Sequence, residues 1–173
     1  ALGDDLAYRE REPAYESAAR RQALAISGAQ LHINLHGYPA HEWTRPLAGY
    51  LPRGFESWTL PKGFFLLLRH HPGWGDKAHR LMADVTGRLA GRMPDLATFN
   101  ARQIAVFQAH ALEPGFEIMH GIPVLVAQSD AEAAPLALIA EFPDETLYGE
   151  AFRFAQSVQT ETVLAAVEGY LAL

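Results

Sequence analysis

Two polar residues stand at the ends of apolar segments, where an α/β protein commonly places its chemistry. His36 follows the alternating segment from Leu31 to Leu35, and Glu141 lies near the end of an apolar run that starts at Leu136. In open α/β sheets, ligands bind beyond the carboxyl ends of the strands. We therefore expect His36 and Glu141 to be the residues of this chain that carry chemistry.

Glu141 is flanked by apolar residues on both sides. Such surroundings disfavour the charged form of a carboxyl group and raise its pKa unless a cation is near. A carboxylate tuned in this way can take a proton from water and return it to a leaving amine, so Glu141 is the candidate catalytic carboxylate. The alternative is a structural ion pair with Arg69, Arg102 or Arg153.

His36 is the candidate metal ligand. It is followed by Gly37, which lets the backbone turn away from a bound group, and a rigid strand end holds a ligand well. The chain has no cysteine, so any metal must be held by His, Asp or Glu. Two alternatives stay open: a hydrogen-bonded structural histidine, and a cluster of His36 with His41 and Glu42, whose spacing matches no helix-borne zinc motif.

The bulk composition excludes several classes of protein. With 173 residues and 49% hydrophobic residues, the chain has the size of one domain with a sizeable core. The net charge is −6 and the basic residues are scattered, which argues against a nucleic-acid partner. The longest apolar runs are far shorter than the roughly 20 residues that cross a bilayer, so we expect no membrane partner. No G-x-S-x-G elbow, Walker loop or G-x-G-x-x-G fingerprint occurs.

The first residues are charged and polar, with neither an initiator Met nor the apolar core of a signal peptide. We therefore expect that an upstream segment has been removed and that the protein is cytoplasmic.

The pattern of apolar residues predicts alternating helices and strands. Helices are expected from Pro13 to Ile26, after Asp76 as N-cap to about Gly91, and after Thr160 as N-cap. Residues 38–62 are predicted to form an ordered excursion or hairpin, and residues 92–120 have weak strand character around Ile104 and Val106. Strands are expected at four places: Leu31 to His36, Phe64 to Leu68, Ile122 to Ala127 and Leu136 to Phe142.

This alternation, with internal strands that are apolar on both sides, predicts an α/β fold. We expect one domain over residues 1–173, built as a three-layer α/β/α sandwich with a mixed, mainly parallel central sheet.

Three segments carry a resemblance to a known family: Leu31 to Tyr38, Ala140 to Gly149 and Arg11 to Glu16. They resemble segments of the zinc carboxypeptidases, which have a zinc site of two His and one Glu. The first is similar to the strand that ends in the family's third zinc ligand, a His followed by a small residue and Tyr. The second is similar to the strand whose Glu is the general base, followed by an Asp-containing turn and Tyr-Gly. The third is similar to the start of the helix before the third-ligand strand.

The resemblance covers most of the chain as the C-terminal half of a carboxypeptidase-like catalytic domain. It implies that His36 binds Zn²⁺, that Glu141 activates water, and that Tyr38 and His120 contact the substrate. His120 stands near the place of a Tyr that family members often carry, since this chain has no Tyr between Tyr50 and Tyr148. The resemblance assigns the other two zinc ligands, a His-x-x-Glu motif, and the substrate-binding arginines to an upstream segment.

The leading hypothesis is a zinc-dependent hydrolase of carboxypeptidase type. It would release the C-terminal amino acid of a peptide, or cleave a related small amide, once the upstream segment is present. The alternative is a non-catalytic binding or scaffold domain, or an inactive fragment that lacks the other zinc ligands. A fragment would expose a sheet edge and an apolar face, and we would then expect it to self-associate.

Overall fold

A computed structural model describes residues 15–38, 63–110, 115–129, 132–143 and 148–173. The order of elements in this part of the chain is helix, strand, strand, helix, helix, three strands and helix. Their bounds are α1 Tyr15–Ser27, β1 Leu31–Tyr38, β2 Phe65–His70, α2 Gly75–Arg92, α3 Pro94–His110, β3 Glu117–Met119, β4 Ile122–Gln128, β5 Leu136–Pro143 and α4 Gly149–Leu171. The predicted excursion over 39–62, with His41 and Glu42, lies outside the described residues, as does Pro13.

The strands form one sheet in the order β1-β5-β2-β4-β3. The pairs β1–β5 and β2–β4 are parallel, whereas β2–β5 and β3–β4 are antiparallel. The α/β class and the mixed sheet are therefore confirmed. The expectation of a mainly parallel sheet is wrong for the described strands, because β5 runs against β2 and β3 forms a hairpin with β4.

These strand directions decide which ends of the strands share an edge. Because β5 runs opposite to β2, the carboxyl ends of β1 and β5 lie level with the amino ends of β2 and β4 and with the β3–β4 turn. We call this the site edge. Both His36 and Glu141 lie there, as do Tyr38 and His120.

Helices α2 and α4 pack against the sheet through one continuous core. In α2 the buried residues recur at intervals of three and four, which places them on one face of the helix. Their partners are alternate residues of the central strands, which point to the same side of the sheet. The fully buried large side chains of this core include Phe64, Leu66, Leu68, Leu81, Met82, Leu89, Leu136 and Leu138.

Two predicted helix starts are wrong. Asp76 lies in the first turn of α2, and Trp74 is the N-cap residue, without a side-chain hydrogen bond. Thr160 lies inside α4, which begins at Gly149. The sequence misleads at α4 because the residues that face the core are mostly small. The large apolar residues of the predicted face are exposed instead: Leu164 by 47%, Val167 by 43% and Leu171 by 78%.

The weak strand character predicted for residues 92–120 is wrong for most of that range. Residues 94–110 form α3, and the strand β3 covers residues 117–119. The alternation of Ile104 and Val106 resembles the pattern of a strand. In the structure, the most deeply buried apolar residues of α3 are instead Leu96 and Phe107. Their separation of eleven residues is three helical turns, which places them on the same face.

The packing of α4 against α2 is close. A Cβ atom on Gly169 would lie 2.7 Å from Asp84 Oδ2 and 3.0 Å from Leu81 Cδ1. At the rim of this contact, Arg88 and Arg92 both bind Glu168, at 2.7 and 2.6 Å. The hydrogen bond from Arg92, with the positive charges of both arginines, lowers the pKa of Glu168. These side chains are about one-third or more exposed, so we expect the ion pairs to add little to the free energy of unfolding. Their main effect is to set how the two helices align.

None of the described helices is long and apolar enough to span a membrane. The predicted self-association of the chain stays a prediction, although the exposed side chains of α4 provide an apolar stripe.

Asn100 connects α3 to the sheet. Its side chain is fully buried, accepts a hydrogen bond from Phe64 N at 2.9 Å, and donates to Phe64 O at 2.9 Å and to Gly121 O at 3.2 Å. A Cβ atom on Gly63 would lie 2.6 Å from Asn100 Oδ1, and Gly63 has φ +90°. Asn100 therefore holds the amino end of β2 and the β3–β4 turn at the site edge.

We expect the substitution Asn100→Leu to lower the free energy of unfolding by about 3 kcal/mol or more. It removes the partner of both buried backbone groups of Phe64, each of which costs about 1–3 kcal/mol, and of the partly buried carbonyl of Gly121. Urea denaturation measures the effect. Gln108→Leu, at an exposed position of the same helix, should change the value by less than about 0.5 kcal/mol. Equal effects of the two substitutions would contradict the role of Asn100.

Candidate functional site

The parallel register of β1 and β5 places His36 directly opposite Glu141. Residues opposite each other on neighbouring strands point to the same face of the sheet. The His36 Nδ1 and Glu141 Oε1 atoms are 3.5 Å apart. This is longer than a good hydrogen bond but close enough for a direct electrostatic interaction. The two residues singled out from the sequence therefore form a pair.

The two side chains differ in exposure. The side chain of His36 is 39% exposed, whereas that of Glu141 is 15% exposed. On its other side Glu141 is opposite Phe65, which is buried and packs against Tyr38 and Phe116 at ring distances of 5.5 and 5.6 Å. Glu141 thus lies between the accessible side chain of His36 on β1 and an aromatic wall formed by Phe65, Tyr38 and Phe116.

Arg69, one of the cations considered for a structural ion pair with Glu141, lies elsewhere. It is opposite Ala137, four residues back along β5 from Glu141. Its guanidinium binds Oε1 of the buried Glu132 at 2.8 Å, and the carbonyl of Glu132 is 2.6 Å from His71 Nε2. This group ties the carboxyl end of β2 to the segment before β5, at the edge opposite the site edge.

Tyr38 is buried, and its hydroxyl donates to the carbonyl of Gly63 at 2.8 Å. The bond joins the last residue of β1 to the residues that precede β2. In this arrangement Tyr38 supports the wall beside Glu141. Its predicted contact with substrate stays a prediction.

His120 lies at the site edge but two strands away from Glu141, in the turn between β3 and β4. Both turn residues have positive φ, 52° at His120 and 78° at Gly121, as in the type I′ turns that join two strands with a two-residue loop. Because the Thr86 hydroxyl donates to Met82 O at 2.8 Å, it accepts from His120 Nδ1 at 3.0 Å. His120 therefore faces α2, and its predicted contact with substrate also stays a prediction.

Sequence reasoning missed Gln159, which lies in α4. Its Nε2 donates to the carbonyl oxygen of His36 at 3.0 Å. The bond fixes the carboxyl end of β1 from the helix side of the sheet. No local signal in the sequence marks this residue, since it pairs with a backbone atom 123 residues away.

Sequence reasoning also overlooked one instance of the His-x-x-Glu spacing that the carboxypeptidase resemblance requires. His110 and Glu113 have this spacing, but they follow His36 in the chain, whereas the resemblance places the motif upstream. His110 is the last residue of α3, and Glu113 lies outside the described residues. Within the described ranges, no group of three or more His, Cys, Asp or Glu side chains could hold a metal ion.

Comparison with known proteins adds no further candidate. No protein-family model matches the chain, and no curated protein is significantly similar to it in sequence. The carboxypeptidase hypothesis therefore rests on the segments quoted above, chiefly those around His36 and Glu141, and on the geometry that joins these two residues.

The turn geometry predicts opposite tolerances for two substitutions at His120. Asn adopts positive φ readily, whereas a β-branched residue does so at a cost of about 1–2 kcal/mol. We therefore expect His120→Val to lower the free energy of unfolding by about 1–2 kcal/mol more than His120→Asn, as measured by urea denaturation. Equal losses for Asn and Val would show that backbone strain does not select the residue at this turn.

Proposed function

We propose that this chain carries one part of the active site of a zinc-dependent hydrolase of carboxypeptidase type. The observation that carries the proposal is the opposition of His36 and Glu141 on neighbouring parallel strands, 3.5 Å apart at the site edge. An imidazole and a carboxylate at this separation can hold a metal ion and activate water beside it.

The donor chemistry of the pair fits zinc. Without cysteine, the protein ligands must be imidazole or carboxylate groups, and His36 presents its Nδ1 side to Glu141. A catalytic zinc takes three protein ligands and keeps one position open. We propose that His36 supplies one ligand and that the other two come from outside the 173-residue chain. When bound, Zn²⁺ would polarise the substrate carbonyl and make water more acidic.

Glu141 is the proposed general base and acid. Its carboxylate would take a proton from the attacking water and return it to the leaving amine of the substrate. Its neighbours on the two paired strands, His36 and Phe65, would limit the positions that the carboxyl group can adopt, as general base catalysis requires. His36 would remain a fixed ligand, because Gln159 holds its backbone carbonyl.

The proposed substrate class is a peptide with a free C-terminus or a related small amide. We also propose that the described sheet and helices belong to a carboxypeptidase-like, three-layer α/β/α domain. The mixed sheet, with both candidate residues on adjacent strands at one edge, supports this architecture.

The test measures release of the C-terminal amino acid from an N-acylated dipeptide, in a protein that includes the upstream segment which the proposal requires. We expect Glu141→Gln to lower kcat by about 10²–10⁴-fold with zinc content unchanged, since the amide cannot accept the proton. We expect His36→Ala to reduce zinc content. The control His79→Ala, at an exposed position of α2, should alter neither quantity.

Full activity of Glu141→Gln would refute the assignment of the general base. Zinc content that is unchanged in His36→Ala would refute the ligand assignment. Stoichiometric zinc in the 173-residue chain alone would contradict the proposal that other ligands come from outside it. In that case, loss of zinc in His41→Ala or in His110→Ala would identify the internal ligand.

A further inference from the structure

A cavity of about 390 Å³ lies behind His36, between the ends of β1 and β5 and the first half of α4. Side chains alternate along a strand, and Leu31 and Ile33 of β1 pack against the helix-side core, so Leu35 points to that side as well. Phe142 of β5 belongs to the same core. The cavity therefore opens on the side of the sheet opposite to the side chains of His36 and Glu141.

The cavity has the size and lining of a site for a small molecule. Such sites commonly measure 300–1,000 Å³, and apolar walls with a few well-placed polar groups line them. The apolar walls come from both strands and from α4, and the polar groups come from one side of α4. The described lining residues are Leu35, His36, Gly37, Phe142, Pro143, Phe152, Ala155, Gln156, Gln159 and Thr160.

Gln159 gives the cavity a specific polar requirement. Its Nε2 donates to the carbonyl of His36, and this bond fixes the orientation of the amide, since the flipped amide would set two oxygen atoms against each other. The Oε1 atom is then buried and has no hydrogen-bond partner in the described part of the chain. A buried acceptor without a donor costs about 1–3 kcal/mol, so a group that supplies an N–H or O–H would be bound favourably.

The lining also indicates the charge of the ligand. His36 is among the described lining residues, but its side chain points to the other face of the sheet. None of the other described lining residues carries a titratable side chain. A charged ligand would lose its hydration without gaining a partner of opposite charge. The described part of the lining is therefore complementary to an uncharged ligand.

We propose that this cavity binds a small uncharged molecule that combines an aromatic or branched aliphatic group with an amide N–H or a hydroxyl. The apolar group lies between Phe142, Phe152 and Ala155, and the N–H or O–H donates to Gln159 Oε1. Because Gln159 also holds the carbonyl of His36, the occupied cavity is coupled to the strand end of the candidate site.

The test compares two probes that differ in one group, N-methylbenzamide and methyl benzoate, in titrations of ¹⁵N-labelled protein followed by NMR. The ester replaces the N–H by an oxygen that cannot donate. We expect saturable binding of the amide, with shifts centred on Gly37, Ala155 and Gln159. The amide should bind roughly tenfold more tightly than the ester, which is the contribution of one hydrogen bond to a buried acceptor.

Two variants locate the site. Gln159→Met, which removes the acceptor and keeps most of the side-chain volume, should abolish the preference for the amide. Ala155→Leu, which narrows the cavity, should weaken binding of both probes at least tenfold, whereas Ala105→Leu at an exposed position of α3 should leave both affinities unchanged.

Equal affinities of the two probes for the unsubstituted protein would overturn the proposal, because a water molecule would then satisfy Gln159 Oε1. Absence of saturable binding, or binding unaffected by Ala155→Leu, would overturn it as well. The result does not depend on the proposed hydrolase activity, since His36→Ala keeps the backbone carbonyl and should keep probe binding.

Discussion

The parallel pairing of β1 with β5 is the constraint on which the candidate site depends. In this register His36 lies opposite Glu141, and Leu31 and Ile33 lie opposite Leu136 and Leu138. A shift by one residue would turn His36 to the opposite face of the sheet and would also expose the apolar side chains of β1. The packing of the core and the assembly of the polar pair therefore select the same register.

Because β1 lies at the edge of the described sheet, β5 pairs with it on one side only. Side chains from distant parts of the chain supply further ties. Gln159 binds the carbonyl of His36 from α4, and Tyr38 binds the carbonyl of Gly63. Asn100 then binds both backbone groups of Phe64, the next residue. The polar pair is thus connected through backbone contacts to two helices on separate parts of the sequence.

The parts of the fold that could be predicted are those in which the pattern of large apolar residues marks the buried face of a strand or helix. The alternation from Leu31 to His36 and the apolar run from Leu136 onward predicted β1 and β5. Helix α2 shows a regular spacing of large apolar residues. In α4, by contrast, the face that packs on α2 consists of Ala, Gly, Thr and Val, and hydrophobic patterns give small residues little weight. The sequence therefore directed attention to the exposed face of this helix.

The candidate site was predictable in part. Strand-end position indicated both His36 and Glu141, but strand order cannot be read from one sequence, so their 3.5 Å separation required the structure. The dipeptide His120-Gly121 between two apolar segments carried a signal of a two-residue hairpin turn. Gln159 and Asn100 carried none, because their partners are backbone atoms far away in the sequence.

The register of β1 and β5 can be measured directly, because the chain contains no native cysteine. Cysteines at opposite positions of paired strands lie within reach of a disulfide, whereas positions two residues out of register are more than about 7 Å apart. The double variant His36→Cys with Glu141→Cys should therefore form an intramolecular disulfide on mild oxidation, as detected by mass spectrometry. The variant Asn34→Cys with Glu141→Cys should remain reduced under the same conditions. Preferential cross-linking of the second variant would contradict the register from which the candidate site is built.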